Sequence, residues 1–310
     1  MSYKVSVFGA GNVGAEVARR LVEKKLADVV LVDIVEGIPQ GKALDILQSG
    51  PIEGFDNKII GTNDPSLIKD SNIIVVTAGL ARKPGMSRDD LQAANATIIR
   101  GITENIRKFA PGAIIIMVTN PLDIMTYLAW KVSGFDKRRV FGMAGELDTA
   151  RMIAFISMET GVEASRITAM VLGGHGDLMV PLASQTKVNG KPLSSVLPKE
   201  KIDALIARTA NGGAEIVNLL KTGSAYYAPS SSAVMMVESV IKNRGCVIPS
   251  AVILNGEYGL KDVCIGVPAK IGKNGIEKVV ELKLTHEEHA MLMKSADSVK
   301  ENIKKLTVSP

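Results

Sequence analysis

Between Lys4 and Met143, short runs of β-branched and aliphatic residues alternate with longer amphipathic stretches. The runs KVSVFG, DVVLVD, KIIGT, NIIVVTA, AIIIMVT and RVFGM show little polar alternation, as expected of parallel strands buried on both faces. Helical periodicity occupies residues 12–25, 88–109 and 122–133. Strand and helix in alternation predict an α/β fold, a doubly wound parallel Rossmann sheet, over residues 1–144. After Gly145 the pattern changes. Helical stretches at 146–160 and 201–220 bracket a strand-rich interval, and CVIPSAVILNGEYGLKDVCIGVPAKIG reads as antiparallel strands with Gly- and Asn-containing turns. The final helical segment opens on a capping box, Thr285 to Glu288. Residues 145–310 are therefore expected to form a second, α+β domain. With no repeat and no low-complexity linker, the two parts should pack together, and a cleft between them is the natural place for a site.

Composition narrows the function. The chain has 310 residues, 46% hydrophobic and 22% charged, a globular balance, and its apolar runs are too short to span a bilayer. The start, MSYKVSVFGAG, enters a strand at once without the apolar core of a secretory signal, so a cytoplasmic protein is expected. The two cysteines, Cys246 and Cys264, lack CxxC spacing and read as buried free thiols. His286 and His289 stand at i,i+3 without a third ligand, so they read as surface residues and no metal is expected. The net charge of +5 is spread among acids, with no zinc-finger or aromatic RNA-binding motif. That argues against nucleic acid and for a small anionic ligand.

VFGAGNVG sets Gly9, Gly11 and Gly14 in the G-x-G-x-x-G pattern between a strand and a helix. The three positions answer three needs: a tight turn, close approach of backbone to a pyrophosphate, and close helix–strand packing. Asp33 closes the second strand, where a carboxylate accepts hydrogen bonds from an adenosine ribose. It would repel a 2′-phosphate and Ile34 offers no compensating cation, so NAD is expected rather than NADP.

Two further motifs carry candidate chemistry. VLGGHGDLMVP surrounds His175 with Gly173, Gly174 and Gly176, leaving room for a ligand near the imidazole. GELDTAR places Asp148 and Arg151 on one helix face. By itself that pair is a surface salt bridge or part of a site, depending on whether His175 comes near. Upstream, LARKPGMSRDD sets Arg82, Lys83 and Arg88 around a Pro-Gly breaker, with Ser87 as the N-cap of a new helix. Such a basic loop can be a solvated surface loop or a lid.

GAGNVG, VTNPLD (Val118 to Asp123), GELDTAR and GGHGD, in this order and at these spacings, closely resemble the family of NAD-dependent malate and lactate dehydrogenases. The resemblance covers essentially the whole chain. It implies that His175 is the proton donor and acceptor, oriented by Asp148; that Arg151 binds the carboxylate beside the reacting carbon; and that Arg88 polarises the carbonyl from a mobile loop. It further implies that Asn120, before a cis proline, borders substrate and nicotinamide, and that NAD is held by Gly9, Gly11, Asn12, Val13, Gly14, Asp33, Asn95, Val118 and Asn120. A homodimer or homotetramer is implied as well.

These roles suit the reaction: an imidazole changes charge near neutral pH, an Arg grips a carboxylate with two parallel bonds, and a second Arg stabilises charge developing on oxygen. Arg82 is then left over. In the resembled family the matching position is Gln in lactate-specific members and Arg in malate-specific ones, so Arg82 is expected to read a second carboxylate. Leaving a buried cation unpaired costs about 3–5 kcal/mol, roughly two to three and a half powers of ten. The alternatives are a lactate or other 2-hydroxy-acid dehydrogenase and, from another class, a catalytically silent NAD-binding protein on the same fold.

Overall fold

The structure, a computed structural model, describes residues 3–80 and 87–306; Arg82, Lys83 and the Pro-Gly breaker lie outside the described residues. The chain begins β1 (Lys4–Phe8), α1 (Asn12–Glu23), β2 (Asp28–Val32), α2 (Ile38–Glu53), β3 (Ile59–Thr62), β4 (Ile73–Val76), α3 (Arg88–Phe109), β5 (Ile114–Met117), α4 (Leu122–Ser133) and β6 (Val140–Met143). The six strands are parallel in the order β3-β2-β1-β4-β5-β6. Alternate residues of each strand enter opposite cores. Val5, Val7, Ile73 and Val75 pack on one face, and Phe8, Ile74, Val76 and Met117 on the other. Both faces being apolar, these strands carry no polar alternation. The chain builds outward from β1 in one direction and from β4 in the other, so the carboxyl ends of β1 and β4 flank a switch point where such sheets receive ligands.

Helix α2 is absent from the sequence-based reading. It contains Gly41, Gly50 and Pro51 and has no clean apolar stripe. Tertiary packing fixes it: a Cβ on Gly61 of β3 would meet the Pro39 carbonyl at 1.9 Å, so the helix start lies directly on the strand.

The chain continues through α5 (Gly145–Thr160), β7 (Ile167–Thr168), β8 (Val171–Gly173), β9 (Met179–Pro181), β10 (Lys187–Val188), β11 (Lys191–Pro192), α6 (Lys199–Leu220), α7 (Tyr227–Ile241), β12 (Cys246–Asn255), β13 (Lys261–Gly272), β14 (Gly275–Val279) and α8 (His286–Lys304). The long hairpin β12–β13 is antiparallel, as its turn residues predict. It does not found a separate sheet. β12 pairs antiparallel with β6, through Ser250 opposite Met143, and β13, β8 and β9 follow; with β14 paired on β13 this gives one 11-stranded sheet. β7, β10 and β11 form a small sheet of their own. Helix α7, which the sequence reading does not include, is buried along most of its length. Cys264 is buried; Cys246 is only partly so, because it begins β12 near the end of the hairpin. No helix among the described residues is long and apolar enough to cross a membrane.

Candidate active site

The glycine turn after β1 has the form its spacing predicts. Gly9 sits at φ +98°, and a Cβ there would meet the Ala78 amide nitrogen at 2.6 Å. A Cβ on Gly14 would fall 1.8 Å from the Gly9 carbonyl oxygen, so α1 can approach the turn only through a glycine. Gly11 is different: its backbone is ordinary and a Cβ would meet nothing within 4 Å. It is also the N-cap of α1, with no side-chain cap and no acid in the first turn. The helix therefore presents uncompensated N–H groups and positive dipole to open space, an environment suited to a pyrophosphate. Asn12 is exposed and Val13 half-buried at the same helix end.

Asp33 is half-buried at the end of β2. Its Oδ2 accepts from the Ala10 N–H at 2.6 Å and its Oδ1 from the Val35 N–H at 3.0 Å. Each carboxylate oxygen keeps lone-pair capacity for a ribose hydroxyl. Sequence reasoning missed Lys42. Its Nζ donates to the Ala10 carbonyl at 2.7 Å, so the peptide units around Ala10 are tied to an acid on one side and to a cation on the other. No motif announces Lys42, since it lies on the unanticipated helix α2.

At the ends of β4 and β5, Asn95 is fully buried. Its Oδ1 accepts from the Leu80 N–H at 2.7 Å and its Nδ2 donates to the carbonyls of Leu80 and Asn120, at 3.2 and 2.7 Å. The side chain braces the stem of the basic segment against Asn120, leaving no free donor towards the cleft. Asn120 itself is exposed and the Asn120–Pro121 peptide is cis. Val118 is half-buried, its N–H donating to the Val76 carbonyl at 2.8 Å.

The decisive geometry lies where α5 meets the strand pair β8–β9. Asp148, 2% exposed, approaches His175 Nδ1 with Oδ2 at 2.8 Å and accepts from Arg151 Nη1 with Oδ1 at 3.0 Å. The Asp148–Arg151 pair is thus not a surface bridge. One carboxylate fixes both an imidazole and a guanidinium, and with Nδ1 engaged, Nε2 is left without a hydrogen-bond partner among the described residues. Burial pulls the His175 pKa down, but the charge and hydrogen bond of Asp148, with help from Asp123, outweigh burial and an opposing Arg151, and raise it above 6.5. Arg151 is held close by Gly212 and Gly213 of α6: a Cβ on Gly212 would lie 3.1 Å from Arg151 Cδ. Arg151 Nε is buried with no hydrogen-bond partner among the described residues.

Arg88 opens α3 behind a complete Ser87–Asp90 capping box. Its Nη2 donates to Asp177 Oδ2 at 2.6 Å, with both side chains largely exposed, 76% and 70%. Arg88, Asn120, Asp123, His175 and Asp177 line one cleft of about 500 Å³. Asp177 and Asp123 both stand inside the quoted motifs, yet neither was singled out from sequence. His286 and His289 are exposed on the first turn of α8.

Residues 3–142 match the family model of the lactate/malate dehydrogenase NAD binding domain, and residues 145–308 that of the lactate/malate dehydrogenase alpha/beta C-terminal domain. The chain is 57% identical over 304 residues to a malate dehydrogenase of Pelodictyon phaeoclathratiforme, covering 98% of each. Among solved structures it is similar to the malate dehydrogenase of Cryptosporidium parvum, with a TM-score of 0.97, 41% identity and 100% of both chains covered. It is also similar to the lactate dehydrogenase of the same organism, solved with lactic acid and nicotinamide adenine dinucleotide, with a TM-score of 0.96, 42% identity and 100% and 99% covered. With both halves matched and every family motif in its place, the chain belongs to the lactate/malate dehydrogenase family.

Proposed function

We propose that this chain catalyses the reversible, NAD-dependent interconversion of malate and oxaloacetate. The observation that carries the reading is the buried Asp148 carboxylate, shared between Arg151 and the Nδ1 of His175, the residue of the three that lines the cleft. When bound, NAD supplies the redox half of the reaction by giving or taking a hydride. Asp33, the backbone at Gly11 and the open N-terminus of α1 would hold it, with Gly9 and Gly14 shaping the turn, Asn12, Val13, Val118 and Asn120 bordering it, and Asn95 bracing Asn120.

The remaining work falls to side chains. Asp148 keeps the imidazole oriented and favours its charged form, so His175 Nε2–H can donate a proton to the oxygen formed from the keto group. In the oxidative direction the neutral imidazole takes the hydroxyl proton back. Arg151 would receive the carboxylate next to the reacting carbon through the donors that Asp148 leaves free, including the unpartnered Nε, whose desolvation an anion's oxygen would offset. Arg88 would exchange its exposed partner Asp177 for the substrate oxygen and stabilise the charge developing there. Arg82 would read the second carboxylate. An intact proton-transfer pair beside a carboxylate-binding Arg argues against a silent NAD-binding protein.

The fold does not separate malate from lactate chemistry, since both kinds of neighbour superpose closely. Arg82 does, and the test follows from it: NADH oxidation with oxaloacetate and with pyruvate, on the wild type and on Arg82→Gln. A wild-type preference for oxaloacetate that collapses in the variant supports the assignment. Preference for pyruvate, or one untouched by the substitution, overturns it. The exposed apolar residues Leu44, Leu47 and Ile52 of α2 support assembly as a homodimer or homotetramer, to be measured by sedimentation. We take the protein to be cytoplasmic, and place the boundary between its NAD-binding and catalytic parts at residue 144.

A further inference from the structure

His175 is carried on glycine. Gly173 and Gly176 have φ of +85° and +145°, and such backbone has little stiffness of its own. A proton-transfer group, however, must be held to within about 0.5 Å. The restraint comes from two distant elements. The Gly174 N–H donates to Ser295 Oγ of α8 at 2.8 Å, and the His175 N–H donates to Asp123 Oδ2 of α4 at 2.8 Å. Both side chains are buried, 0% and 3% exposed. The fit is tight, since a Cβ on Gly174 would lie 3.3 Å from Asp123 Oδ2 and 3.4 Å from Ser295 Oγ.

Asp123 is more than a backbone acceptor. Its Oδ1 is buried without a hydrogen-bond partner among the described residues, an expensive way to build a loop anchor that a neutral Asn or Ser could supply. Its place in the first turn of α4 partly compensates, because a helix N-terminus favours negative charge. Burial, opposed by the His175 N–H and the imidazole, pushes its carboxyl up to about 6. The other charged or titratable groups facing this cluster are Asp148 and Arg151 from α5, Cys264 from β13, and Arg88 and Asp177 at the cleft mouth. Burial first, then the charge of Asp123, keeps the Cys264 thiol well above its usual range and so neutral.

We propose that Asp123 and Ser295 are positioning residues for His175: together they clamp the backbone of residues 174 and 175, and the Asp123 carboxylate is a second negative charge sustaining the imidazolium beside Asp148. The inference rests on the reading of His175 as proton donor and acceptor. Ser295 acts on geometry alone and Asp123 on geometry and charge, so the two substitutions have different signatures.

The test is the pH profile of kcat/KM for oxaloacetate reduction in the wild type, Asp123→Asn, Ser295→Ala and His175→Asn, with NADH binding measured on each. In Asp123→Asn the alkaline limb moves to lower pH by roughly one unit. In Ser295→Ala the limb stays in place while kcat falls roughly tenfold, more than KM changes. A merely structural role would lower the folded, NADH-binding fraction and move no limb. A limb that stays put in an NADH-binding Asp123→Asn, or full kcat in Ser295→Ala, overturns the proposal; should Asp123→Asn fail to bind NADH, Ser295→Ala decides. His175→Asn keeps the two readings apart. If it retains activity, the assignment of His175 has failed; if it is inactive, the result bears on the clamp alone.

Discussion

Replacing Asp148 by Asn removes one charge while keeping the shape of the side chain. In the wild type that charge lies 2.8 Å from His175 Nδ1 and is almost wholly buried, where a close opposite charge shifts a pKa by about 1–3 units, or about 1.4–4 kcal/mol. The direction is fixed. His175 titrates above 6.5 in the folded chain, so the imidazolium needed for oxaloacetate reduction is present below that raised pKa and lost as pH rises through it. In Asp148→Asn the loss begins at lower pH. Above both pKa values the imidazolium fraction, and with it kcat/KM, falls roughly 10- to 1,000-fold. Below both, that part of the deficit disappears. Malate oxidation, which needs the neutral imidazole, gains an acid limb displaced the same way. The assay is initial-rate NADH absorbance from about pH 5 to 9, the range over which histidine changes charge. Arg151 also loses its partner, so a KM increase for both substrates accompanies the shift. A deficit of the same size at every pH would refute the electrostatic argument and leave Asp148 as a steric support. Folding stability follows the same pairing: the contribution is full below about pH 6.5 and fades as pH rises through the raised pKa of His175.

Two further outcomes follow from packing. Gly212→Ala places a methyl 3.1 Å from Arg151 Cδ; KM for oxaloacetate should rise roughly tenfold as the guanidinium is displaced. Because Ala suits a helix interior better by about 1 kcal/mol, a calorimetric scan should show no large loss of stability, and an unchanged KM would mean that Arg151 has slack. Lys42→Met removes a charged donor from the Ala10 carbonyl and should weaken NADH binding roughly tenfold, raising KM for NADH more than it lowers kcat. A fluorescence titration giving the wild-type Kd would show that the turn holds its shape without that cation.

Local chemistry made much of the molecule legible. The six parallel strands advertise themselves because a strand buried on both faces needs uninterrupted apolar side chains, and α3 because Ser87 and Asp90 close a capping box. α2 was hidden for the complementary reason: Gly41, Gly50 and Pro51 weaken its local signal, and only its seat on Gly61 fixes it. The joining of β6 to β12 is equally silent, since neither strand's pattern names its neighbour. At the site, motifs marked His175, Asp148 and Arg151 through glycine flanks and helical spacing. Asp123 escaped although it lies in a quoted motif, because its partner is a backbone N–H 52 residues away, and a backbone donor leaves no trace in side-chain spacing.

The features that look wrong to a local reading gather in one place. Two adjacent glycines sit inside α6, each costing about 1 kcal/mol against Ala; Arg151 Nε and Asp123 Oδ1 are buried with no hydrogen-bond partner among the described residues. Scattered through a core, such departures would be simple losses. Here all three lie around His175 and Arg151: the glycines leave room for the guanidinium, and on the roles proposed above the Nε would meet a substrate carboxylate and the Asp123 carboxylate would support an imidazolium that forms and vanishes in each turnover. Folded stability is given up where the chemistry needs strong, unneutralised fields and close approach. On that argument, substitutions that repair these departures should stabilise the chain at the expense of turnover, whereas repairs made elsewhere in the sheet should leave turnover alone.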